Sequence, residues 1–64
     1  MKEIPLGDST TVRELSDLLG VSVTGIVKIA FTELGLMATI DEPLSFEQAS
    51  AIASEFGFTA RRRT

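Results

Sequence analysis

The sequence contains no cysteine, histidine, tryptophan or tyrosine. Without cysteine and histidine there is no disulfide, no thiolate nucleophile, no imidazole general base, and no Cys- or His-ligated zinc or haem. A chain of 64 residues with no such staple has to hold itself together by packing alone. Long apolar runs are missing too: nothing approaches the ~18 consecutive apolar residues of a membrane span. Residues 1–15 lack the apolar centre of a signal peptide. The expectation is a soluble, cytoplasmic chain. Positive charge is scarce, with 6 Lys+Arg against 9 Asp+Glu, net −3. Half of the cations are Arg61, Arg62 and Arg63, so residues 1–60 hold three positive and nine negative charges, net −6. Such a body repels a phosphate backbone unless its few cations gather on one face.

Hydrophobic residues make up 44% of the chain, enough for one small core and too many for disorder throughout. One domain is expected over residues 1–64, with its core at about 4–58 and residues 59–64 as a tail or linker. Three short strings share a pattern: Leu19-Gly20-Val21, Leu34-Gly35-Leu36 and Phe56-Gly57-Phe58. Each places a glycine between apolar residues where a helical pattern stops. Glycine just past a helix takes positive φ without steric cost, and the next apolar residue folds back. Three stops imply three helices.

The first helix is predicted from Val12 to Leu19, opened by the capping box Thr11-Val12-Arg13-Glu14. Its apolar stripe is Val12, Leu15, Leu18 and Leu19. The second is predicted from Val23 to Leu34, capped by Ser22, with Val23, Ile26, Val27, Ala30, Phe31 and Leu34 inward. Thr24, Gly25, Lys28 and Thr32 then face outward, together with Ile29, an anomaly on a polar face. The third is predicted over 46–56 behind the capping box Ser45-Phe46-Glu47-Gln48, with Phe46, Ala49, Ile52, Ala53 and Phe56 inward. Leu15, Phe31 and Ile52 are expected to be core anchors.

Short extended pieces fill the gaps. Glu3-Ile4-Pro5-Leu6 suits an edge strand, because proline donates no ladder hydrogen bond. Residues 36–40 alternate, with Leu36, Ala38 and Ile40 on one side, and Phe58-Thr59-Ala60 can pair beside them. Asp41-Glu42-Pro43 reads as a turn. The expected fold class is therefore α+β, in the order strand-helix-helix-strand-helix-strand, with three helices on one face of a short three-stranded sheet.

No catalytic constellation emerges. The serines have no histidine beside them, no Gly-rich phosphate loop is present, and no acidic run has calcium-loop spacing. No enzyme activity and no cofactor or metal site is expected. Two features carry the binding possibilities. On the second helix, Lys28, Ile29 and Thr32 form a small mixed patch, which becomes a contact if Met37 or another apolar side chain lies beside it. Arg61, Arg62 and Arg63 form the basic cluster, which reads either as an RNA-phosphate contact or as a frayed, solvated end. Residues 12–31 also fit a helix-turn-helix. Its second helix would offer DNA a single cation and no Arg, Asn or Gln for bidentate base contacts.

The run Thr11-Val12-Arg13-Glu14-Leu15, then Leu19-Gly20-Val21-Ser22, Ile26-Val27-Lys28-Ile29 and Leu34-Gly35-Leu36-Met37-Ala38-Thr39-Ile40, resembles the N-terminal module of bacterial translation initiation factor two. So do Leu44 with Phe46 and the closing Ala53-Ser54-Glu55-Phe56-Gly57-Phe58. The resemblance covers about residues 4–58, and its most specific piece is the Gly-apolar-Met-Ala-Thr-Ile string. It implies a small helical domain on a three-stranded sheet, part of a larger GTPase whose nucleotide and initiator-tRNA sites lie in separate downstream domains. It also implies a noncatalytic, monomeric module associated with the small ribosomal subunit. Three departures stand out. Gly25 replaces a residue that is commonly Glu, one extra residue follows Ile-Val-Lys-Ile, and Asp41-Glu42 stand where Asn-Gln are frequent. The alternatives from other classes are a DNA-binding helix-turn-helix and a spacer with no specific partner.

Overall fold

The structure is a computed structural model that describes residues 2–63. Its elements run β1 (Lys2–Leu6), β2 (Ser9–Thr11), α1 (Val12–Leu19), α2 (Val23–Leu34), β3 (Pro43–Ser45), α3 (Phe46–Glu55) and β4 (Phe58–Arg62). The three helices fall where their caps and glycine stops place them. In α1, Glu14 N–H donates to Thr11 Oγ1 at 3.1 Å and Thr11 N–H donates to Glu14 Oε1 at 3.0 Å. In α3, Gln48 N–H donates to Ser45 Oγ at 3.1 Å and Ser45 N–H to Gln48 Oε1 at 3.0 Å. Two of the N–H groups that a helix start leaves unsatisfied are thus met reciprocally in each. The helix α2 has only half of this device, Gly25 N–H donating to Ser22 Oγ at 3.1 Å, because Gly25 has no side chain to reach back. Gly20, Gly35 and Gly57 take φ of 70°, 64° and 85°, the left-handed region that favours glycine.

The sheet departs from the expectation. Among the described residues the strands form two separate pairs in place of one three-stranded sheet. Strand β4 pairs in parallel with β1, with Ile4 opposite Ala60 and Leu6 opposite Arg62. Strand β2 pairs antiparallel with β3, with Thr10 opposite Leu44. Residues 36–40 are not a strand. Their alternation survives in part, Ala38 being buried and Met37 exposed, but their backbone serves the helix ends. Leu36 N–H donates to Ala30 O at 3.0 Å, and Ile40 O accepts from Arg13 N–H at 2.9 Å. Glu42 O accepts from Val12 N–H at 3.3 Å, and Glu42 N–H closes a turn on Thr39 O at 3.0 Å. The carbonyls of this loop therefore satisfy the first N–H groups of α1, a task that competes with strand pairing. The expected turn at residues 41–43 begins at Ile40 and Asp41, and Pro43 already belongs to β3.

The unforeseen pair β2–β3 has a local cause. A helix N-cap residue takes extended backbone angles, so it can also end a strand. Thr11 (φ −76°, ψ 160°) closes β2 and caps α1, and Ser45 (φ −69°, ψ 166°) closes β3 and caps α3. The ribbon thus launches α1 and α3 from its opposite ends. Strand β4 also overturns the expected tail at 59–64: the ladder reaches Arg62, and Arg63 N–H donates to Leu6 O at 2.8 Å. Thr64 lies outside the described residues.

The core joins Ile4 and Leu6 of β1, Val12, Leu15 and Leu19 of α1, Ile26 and Ala30 of α2, Leu44 of β3, and Ala49, Ile52 and Ala53 of α3, with Ala38 from the loop after α2. Leu15 and Ile52 are fully buried as expected. Phe31 is not a core anchor: it is 58% exposed, and Leu34 is 39% exposed. Ile29, expected on the outer face, is instead half-buried and packs against the core. The buried stripe of α2 is turned from the Phe31 side toward the Gly25–Ile29 side. Val23, Val27 and Ile29 pack against the core in place of Phe31, because a helix apolar on most of its circumference does not fix its own rotation.

Candidate functional site

The outward face of α2 carries Thr24, Lys28, Phe31 and Thr32. Lys28 is exposed and makes no ion pair among the described residues. The Thr32 hydroxyl donates to Lys28 O at 3.0 Å, so its proton is turned back into the helix. Ile29, the third member of the expected patch, belongs to the core. The structure therefore keeps Lys28 and Thr32 together and replaces Ile29 with Phe31.

The arginine cluster has a different fate. Side chains alternate across a strand, which sends Arg61 and Arg62 to opposite faces of β4. Arg61 Nε lies 3.5 Å from Glu3 Oε1 on β1. Arg62 bonds Asp8 through Nη1 and lies 3.9 Å from Glu47 Oε2. Its guanidinium also sits 4.3 Å from the centroid of the Phe46 ring, a cation–π arrangement. Arg63 is exposed, and it is the last and smallest influence holding the Glu14 carboxyl below its ordinary pKa. The larger influences on Glu14 are the hydrogen bonds from Thr11 N–H and then from the Thr11 hydroxyl, partly opposed by desolvation. Arg61 and Arg62 thus face the chain's own carboxylates and tie β4 to β1, the 7–8 turn and the start of α3.

A second surface lies at the C-terminal end of α2. Phe31, Leu34 and Met37 are 58%, 39% and 81% exposed. Phe31 and Leu34 are three residues apart and therefore neighbours on the helix. The hydrogen bond from Leu36 N–H to Ala30 O folds the outgoing chain back over the last turn, and Met37 emerges there. Sequence reasoning assigned two of these residues to the core. A signal was available: α2 holds Val23, Ile26, Val27, Ile29, Ala30, Phe31 and Leu34 within 12 residues, more apolar side chains than one helix face can bury.

The described residues enclose no cavity, and nowhere among them do three or more carboxylates converge as a metal site would require. No single helix is long and apolar enough to cross a membrane. The helices α1 and α2 meet at 111° across residues 20–22, within the range of a helix-turn-helix. The outward face of α2 nonetheless gives DNA only Lys28 as a cation. What the surface offers is contact: exposed Phe31, Leu34 and Met37 at the end of α2, and Arg61 and Arg62 already paired with carboxylates of the same chain.

The family profile described as "Translation initiation factor IF-2, N-terminal region" matches residues 7–59. Proteins named translation initiation factor IF-2 match most of the chain. That of Citrifermentans bemidjiense is 40% identical over 55 residues, covering 86% of this chain and 6% of that protein. The one from Thermodesulfovibrio yellowstonii is 39% identical over 56 residues, 88% of this chain and 7% of that protein. The one from Alkaliphilus oremlandii is 41% identical over 61 residues, 95% of this chain and 8% of that protein. The chain therefore spans less than a tenth of the length of these relatives. With a profile match over most of its length and relatives near 40% identity, the chain belongs to the family of translation initiation factor IF-2 N-terminal regions.

Proposed function

We propose that this domain is a noncatalytic binding module that helps a translation initiation factor dock on the small ribosomal subunit in the cytoplasm. In this reading the nucleotide chemistry of such a factor belongs to a separate domain, and these residues work as a monomer by surface contact. Family membership supports the setting. The observation that carries the contact role is the exposure of Phe31 and Met37: a chain with so small a core leaves two of its largest apolar side chains in water. Arg61 and Arg62 are paired with Glu3, Asp8 and Glu47, so in this reading they are secondary to the α2 surface. The contact set is accordingly Lys28, Phe31, Thr32, Leu34 and Met37, and Arg63, exposed at the end of β4, stands apart from it.

The test is co-sedimentation of the labelled chain with purified small ribosomal subunits, beside a titration with duplex DNA, at low and physiological salt. Saturable binding to subunits alone is expected. DNA binding with a steep salt slope would replace this reading with the helix-turn-helix one, and binding to neither would leave a spacer.

A further inference from the structure

We draw no further inference here: the strongest candidate, the exposed apolar surface of Phe31, Leu34 and Met37 at the C-terminal end of α2, carries nothing beyond the contact role proposed above, because nothing in the structure shows what covers it.

Discussion

Two regions of this small domain treat their conspicuous side chains in opposite ways. At the β1–β4 end, arginines that look in the sequence like a sticky basic tail are ordered in a strand and matched to carboxylates of the same chain. At the C-terminal end of α2, Phe31 and Leu34, apolar residues that look like core, stand in water. The difference teaches that residue type alone does not name a contact surface. What matters is whether the fold has already supplied each side chain with a partner.

The sharpest way to break this comparison is to truncate apolar residues on either side of it. Leu15→Ala or Ile52→Ala removes a fully buried side chain and should cost about 2–5 kcal/mol in urea unfolding. That is enough to unfold much of a domain whose total stability is on the order of 5 kcal/mol. Phe31→Ala should cost less than about 1 kcal/mol, as expected of an exposed site. Equal losses at positions 15 and 31 would mean that α2 is rotated the other way.

At the arginine end, Arg62→Ala should cost about 1 kcal/mol, since it removes two carboxylate contacts and the stacking on Phe46. Arg61→Ala, which loses one exposed pair with Glu3, should stay within about 0.5 kcal/mol. The difference should shrink in high salt but not vanish, because stacking and packing are screened less than exposed ion pairs. Thermal midpoints at two salt concentrations measure it, and equal effects at both positions would reduce Arg62 to an ordinary surface residue.

The start of α2 offers a gain. A Cβ at position 25 would meet Ser22 Oγ at 3.4 Å and Phe56 Cζ at 3.8 Å, ordinary contact distances, and the backbone there is not left-handed. Gly25→Ala should therefore stabilise by about 0.5–1 kcal/mol through helix propensity. A loss instead would show that Phe56 needs that space. The smallest effect concerns pH. Glu14 has its pKa lowered, chiefly by Thr11 N–H. Its capping contribution is full above the unfolded value and is lost as pH falls through the lowered folded value. Glu14→Gln keeps a neutral acceptor for Thr11 and should flatten the stability loss on acidification below the ordinary glutamate pKa of 4.5. An unchanged acid limb would assign that loss to other carboxylates.

The helices were legible because their signals are local. Thr11 with Glu14, Ser45 with Gln48, and the glycines at 20, 35 and 57 act within a few residues of where they stand, and the structure uses each of them so. The strands were less so. Ser9–Thr11 and Pro43–Ser45 each bury one residue, too little to show an alternation. Residues 36–40 do alternate, yet their backbone groups are drawn off to the ends of α1 and α2. The candidate contacts divide the same way. Lys28 and Thr32 were placed correctly as outward residues, whereas Ile29 and Phe31 exchanged roles because a helix apolar on most of its circumference does not fix its own rotation.

The sequence by itself determined three capped helices, the absence of thiol and imidazole chemistry, and the identity of the residues able to fill a core, because each of these depends on near neighbours or on composition. Only the tertiary structure decided which face of α2 is buried, which strand takes which partner, and that Arg61 and Arg62 are matched internally. Those outcomes depend on contacts between residues distant in the chain, such as Leu6 with Arg62 and Asp8 with Arg62, and no local pattern encodes them.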